Sequence, residues 1–166
     1  MKFLEGYDSV ARAFHWLMAA MILSLLAVGL YMHDLPREDT LRPTLYMLHK
    51  ACGMLVLLFF VMRLIWRATH SQPSLSRYGA NIRKAAHAAH IALYSLMFGI
   101  PTAGYLMSSF HGYPVNFFGL FKLPILVDKD KQLASFFGEV HEYAAYILIA
   151  ILVLHIAGAL KHRFEK

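Results

Sequence analysis

Apolar residues in this chain come in four long runs, at about residues 13–31, 45–66, 85–107 and 140–160, with the polar residues collected between them. About twenty residues at 1.5 Å rise per residue cross the roughly 30 Å hydrocarbon layer of a bilayer. The pattern therefore predicts an all-α polytopic membrane protein, a four-helix transmembrane bundle in a single membrane domain over residues 1–166. Asp8 or Ser9 stands where a cap for the first helix belongs. Residues 33–44 hold Asp34, Pro36, Arg37, Glu38, Asp39 and Pro43 and read as a loop. Residues 68–84, with Pro73, Gly79 and several serines, read as a surface connection. Pro101 falls inside the third run, where the missing N–H predicts a kink. The longest connection, 108–138, carries Phe117, Phe118, Leu120 and Phe121, which places part of it on the membrane surface.

The histidines change this picture from a bundle to a bundle with chemistry. His141 and His155 bracket the fourth run, fourteen residues apart. That is about 21 Å along a helix, with both rings facing the same side to within about 40°. His15 and His49 lie near the starts of the first and second runs. Because successive spans alternate in direction, His15 shares a depth with His155, and His49 with His141. Two imidazoles facing one another from different helices are an axial ligand set for haem iron. The spacing thus predicts two haems, one between the first and fourth spans and one between the second and fourth. The single cysteine, Cys52, leaves no Cys-x-x-Cys-His attachment motif, so the haems would be of b type. Zinc fits poorly, since the two pairs lie too far apart to complete one tetrahedron and thiolate is nearly absent. Ordinary interfacial histidines are the bland alternative for any one of the four. A histidine path for metal or proton transport would want central polar residues, which the runs lack.

Composition and charge narrow the reading further. The chain is 58% hydrophobic and 16% charged, against about half and a quarter in soluble domains. The net charge of +6 does not point to nucleic acid, because the cations flank apolar runs and form no single patch. With both termini inside, ten Lys and Arg lie on the inner side and six on the outer, while seven of the ten acidic residues fall outside. The inner excess predicts cytoplasmic termini. Arg12 and Arg67 near the inner side, and Arg42 and Lys50 near the outer, are candidates to pair with haem propionates. His87 and His90, three apart at the inner end of the third span, could hydrogen-bond a propionate or a quinone head, or serve only as interfacial histidines. His162 lies seven residues beyond His155 and so near the same face. Gly53 and Gly158 sit close to ligand positions, where a missing side chain admits a flat group; plain helix packing accounts equally well for Gly29 and Gly104. Arg63 reads as interfacial.

Six segments together carry a family resemblance: RAFHW at Arg12–Trp16, LHKACG at Leu48–Gly53, AHAAHIALY at Ala86–Tyr94, PTAGYLM at Pro101–Met107, HEYAAY at His141–Tyr146 and LHIAGALKH at Leu154–His162. In order and spacing they resemble the bacterial cytochrome b561 family across nearly the whole chain. The resemblance implies four main transmembrane helices, two haem b groups, and axial ligands at His15, His49, His141 and His155. It further implies a quinone-linked electron carrier of the bacterial inner membrane. The compact form resembles superoxide oxidases, which pass electrons from superoxide outside to ubiquinone. Other relatives are membrane-anchoring cytochromes that carry electrons between a partner hydrogenase or dehydrogenase and quinone. On this footing Arg77, Arg83, His87, His90 and His162 are candidates for handling quinone and its protons near the inner haem.

Overall fold

The computed structural model describes residues 6–70 and 79–164. Four long helices make up nearly all of it: α1 (Ser9–Asp34), α2 (Arg42–Thr69), α3 (Ala80–Phe110) and α4 (Lys131–Phe164). A small antiparallel hairpin, β1 (Asn116–Phe117) and β2 (Phe121–Lys122), lies between α3 and α4. All four helices are long and apolar enough to cross a membrane.

Every helix contains its predicted span and runs beyond it at both ends. The shortest, α1, has 26 residues, about 39 Å at helical rise, so it outreaches a hydrocarbon layer of about 30 Å. Hydropathy marks only the part of a helix that sits in hydrocarbon; the ends continue into the headgroups, where polar side chains are welcome. All three expected connections are accordingly shorter than the sequence suggested, 68–84 losing its ends to α2 and α3. Residues 33–44 are not all loop, because α1 continues to Asp34 and α2 begins at Arg42 with Pro43 in its first turn. Proline suits that position, as its absent N–H has no helical partner there anyway. Residues 108–138 likewise lose both ends to helix. α4 starts at Lys131, where Asp130 Oδ1 accepts from the amides of Gln132 (2.8 Å) and Leu133 (3.0 Å). The charged run at Asp128–Lys131 is therefore a helix cap as well as a loop.

At the other end of the molecule Asp8 caps α1, its Oδ1 accepting from Ala11 N at 2.8 Å. The same carboxylate accepts from the indole Nε1 of Trp66 on α2 (3.1 and 3.3 Å). The Ala11 amide is the main reason that the Asp8 carboxyl titrates below its ordinary range, and Trp66 adds to it.

The hairpin was not foreseen. It turns on Phe118 and Gly119, both with positive φ (54° and 80°), and Gly119 N donates to the Asn116 side chain at 2.9 Å. Val115, just before β1, is 2% exposed and packs into the bundle, whereas Leu120 at the turn is 79% exposed. Lys50 Nζ on α2 donates to Ser108 Oγ (2.8 Å), which in turn donates to Tyr113 O (2.8 Å), so the loop is held down onto α2. Tyr105 OH donates to Pro124 O on its far side.

The packing is uneven. α1 lies on α2, α2 on α3 and α3 on α4, with a core of Met18, Val56, Phe60 and Met97 at the α1–α2–α3 junction. α4 packs chiefly on α3 and stands further off from α1 and α2. The large exposed hydrophobics, among them Leu58, Ile65, Ile147 and Val153, face outward along the spans, as they do when lipid covers them.

Candidate functional site

The gap left by α4 forms two cavities, one towards each end of the bundle. Towards the hairpin end, a cavity of about 310 Å³ is lined by His49, Lys50 and Gly53 of α2 and His141 of α4, with Gly29 of α1, Gly104 of α3 and Val115 closing it. His49 lies about two turns into α2 and His141 about three turns into α4, depths set by where Pro43 and Asp130 start those helices. Their ring centroids are 6.1 Å apart and the planes cross at 73°. A metal–imidazole bond of about 2.0–2.1 Å on each side of one metal gives a centroid separation of about 6 Å.

The two rings are held differently. His141 Nδ1 lies 2.9 Å from the carbonyl oxygen of Ile100 on α3. A carbonyl can only accept, so Nδ1 carries the proton and the Nε2 lone pair is left for a ligand role. His49 Nδ1 is buried and has no hydrogen-bond partner among the described residues. Glycines back both rings. A Cβ on Gly29 would meet His49 Cε1 at 3.2 Å, and one on Gly104 would meet His141 Nδ1 at 2.9 Å. A Cβ on Gly53 would meet nothing within 4 Å, leaving that stretch of cavity wall flat.

Towards the end that carries the chain termini, a larger cavity of about 1170 Å³ is lined by His15 of α1, Arg63 and Arg67 of α2, Arg83 and His90 of α3, and His155 and Gly158 of α4. His15 and His155 thus face one cavity from α1 and α4. The ring nearest His155 is that of His90, with centroids 6.0 Å apart and planes at 62°, so three histidines share this space. Arg63 and Arg67, one turn apart, both lie over the Tyr94 ring (5.8 and 5.7 Å). A Cβ on Gly158 would meet nothing within 4 Å.

The remaining candidates are distributed as follows. Lys50 is on the wall of the smaller cavity but spends one N–H on Ser108. Arg67 is on the wall of the larger one. Arg12 is exposed and is not among the lining residues, its neighbour Ala11 taking that place. His87 is also exposed and off the cavity wall, unlike His90 three residues on. Arg42 is occupied locally, donating to Leu35 O and Tyr46 OH, each at 3.2 Å. His162 is in the last turn of α4, its side chain outside what the structure describes, and Arg77 lies outside the described residues altogether. Arg63, which reads as interfacial in the sequence, lines the cavity. Its i, i+4 spacing to Arg67 was the available signal, since two cations on one helix face seldom point into lipid.

The two cavities share Ile22, Met97 and Leu148 as a common wall. Histidine-lined cavities between four helices long and apolar enough to cross a membrane, separated by one apolar layer, define a class: an all-α four-helix membrane bundle. The comparisons with known proteins agree. The family model described as prokaryotic cytochrome b561 matches residues 6–166, and the chain belongs to that family. It is 37% identical over 161 residues to "Cytochrome b561 homolog 2" of Escherichia coli (strain K12), covering 96% of this chain and 86% of that protein. It is 23% identical over 161 residues to "Probable superoxide oxidase CybB" of Yersinia pestis, covering 96% of this chain and 90% of the relative. Proteins of this family generally transfer electrons.

Proposed function

We propose that this chain is a di-haem b-type cytochrome of the bacterial inner membrane that carries electrons from superoxide on the outer side to ubiquinone. The carrying observation is the His49–His141 pair at 6.1 Å, facing across a cavity between helices that otherwise stand apart. His49 and His141 would hold one haem, and His15 and His155 the other. A haem held by a histidine of this chain on each side would supply one-electron chemistry, suited to carrying electrons and not to binding oxygen.

The other residues act by holding and by charge. Arg63, Arg67 and Arg83 bring positive charge to the larger cavity, suited to propionates or to a quinone oxygen. That cavity exceeds the 300–1,000 Å³ usual for one ligand, which supports placing a quinone head beside His90 next to the inner haem. The balance is simple: two superoxide anions give up two electrons and leave as dioxygen, and one ubiquinone takes those electrons with two protons to become ubiquinol. Superoxide as donor rests on the likeness to the Yersinia pestis protein and on Lys50, a cation on the wall of the His49 cavity. The cation count supports termini on the cytoplasmic side, which puts the hairpin outside.

A second reading has its own observation. The hairpin exposes Leu120 (79%) and Phe121 (54%), a surface on which a partner dehydrogenase or hydrogenase could sit, the chain then being its membrane-anchoring cytochrome subunit. One experiment separates the two. Detergent-purified protein is assayed for haem as its pyridine haemochrome, then placed in liposomes with ubiquinone and a superoxide source. Two b haems per chain, reduced by superoxide and no longer reduced when superoxide dismutase is added, with ubiquinol formed, is the expected result. His49→Ala should lose one haem and the superoxide reaction together. Haem reduced by dithionite but not by superoxide would reject the first reading in favour of a protein donor. Absence of haem after expression with ample haem would reject both.

A further inference from the structure

Helix α3 provides neither partner of the His49–His141 pair, yet it makes the closest contacts to one of them. Its Ile100 carbonyl accepts from His141 Nδ1 at 2.9 Å. One turn on, Gly104 presents bare backbone to the same ring, at a distance where a Cβ would come to 2.9 Å from Nδ1 and 3.0 Å from Cε1. At that distance something must shift, and what a side chain at 104 meets is the ring that donates to Ile100. Ile100 is followed by Pro101, so the accepting carbonyl belongs to a tertiary amide. The extra alkyl group on that nitrogen donates electron density and makes the oxygen a stronger acceptor than an ordinary peptide carbonyl. The opposite ring has nothing equivalent: His49 Nδ1 is buried without a partner among the described residues.

We infer that the Ile100–Pro101–Gly104 segment of α3 is a positioning element that fixes the tautomer, orientation and basicity of His141, and thereby makes the two ligands of the hairpin-end haem electronically unequal. The inference rests on the proposed ligation of haem by this pair. Hydrogen bonding at the far nitrogen of a ligating histidine orients the ring and raises its basicity. A more basic ligand favours the oxidised iron, so the hydrogen bond lowers the potential of this haem and not of the other.

The test is redox titration of the haem-loaded full chain, wild type against Gly104→Ala, with Gly99→Ala as the control. Gly99 lies on α3 with open space around it and lines neither cavity. Gly104→Ala should move the reduction equilibrium of one haem about tenfold towards the reduced form, about 59 mV for one electron, and leave the other in place. Gly99→Ala should move neither. Two unchanged potentials in Gly104→Ala would overturn the inference. If Gly104→Ala loses haem, Pro101→Ala decides: it keeps the carbonyl but makes the amide secondary, and should shift the same haem in the same direction by less. No shift there would overturn the inference as well. A separate readout needs no haem. Imidazole nitrogen NMR of the haem-free chain should show His141 as the Nδ1–H tautomer, and this should be lost in Gly104→Ala. That signature without haem uptake would reject the proposed function and leave the positioning role standing; its absence would reject the positioning role.

Discussion

Asp8 shows how much one residue can join. Its carboxylate ends α1 with a hydrogen bond from Ala11 and reaches across to the Trp66 indole on α2. Because these bonds favour the charged form, its folded pKa lies below the unfolded one. The stabilisation is therefore complete above the ordinary aspartate range and is lost as pH falls through the lower, folded value. The indole N–H signal of Trp66 should titrate with a midpoint below that of a free aspartate, and Asp8→Asn should abolish the step; a midpoint at the ordinary value would show that the cap contributes nothing. The sequence offered Asp8 or Ser9 as the cap because helix starts want an acceptor there, and the structure uses Asp8; Trp66 is 58 residues away and nothing local announces that contact. The same limit applies to His141. Its depth opposite His49 was legible from spacing, whereas its bond to Ile100 depends on how α3 and α4 cross.

Among the elements, the α3–α4 connection departs most from its sequence reading. Its aromatic cluster was noticed, but a two-residue ladder is too short to show a period of two, so the hairpin had no signal in the pattern. Its geometry depends on Gly119 at φ 80°. Gly119→Val would put a β-branched side chain in the left-handed region, costing about 1–2 kcal/mol or more. The amide of Leu123, bonded to Val115 O at 2.8 Å, should then exchange with solvent roughly 5–30-fold faster. Unchanged exchange would mean that Lys50, Ser108 and Tyr105 alone hold the loop. The helices, by contrast, were legible in number and order, because hydrocarbon demands long apolar runs with every backbone group satisfied internally. Only their ends were misplaced, since caps such as Asp130 lie in the polar zone where hydropathy is silent.

For the whole molecule, the standing-off of α4 from α1 and α2 is the decisive feature. A bundle with slots on two sides lacks part of its own packing, so its stability should depend on what fills them. Haem at about 1,000 times its Kd would add about 4 kcal/mol by binding only the folded chain. Thermal unfolding followed by circular dichroism should therefore show a clearly lower midpoint for haem-free than for haem-loaded protein; equal midpoints would mean that the cavities do not hold haem in the folded bundle. By itself the sequence determined the membrane class, the four helices and the four histidines at matched depths, because all three follow from one-dimensional spacing along a helix of known rise. Tertiary structure alone decided that His90 joins His155, that Arg63 faces a cavity while Arg12 and His87 do not, and that Gly29 and Gly104 back the histidine rings. These depend on the rotation and crossing of each helix against its neighbours, which the period of a single helix leaves free.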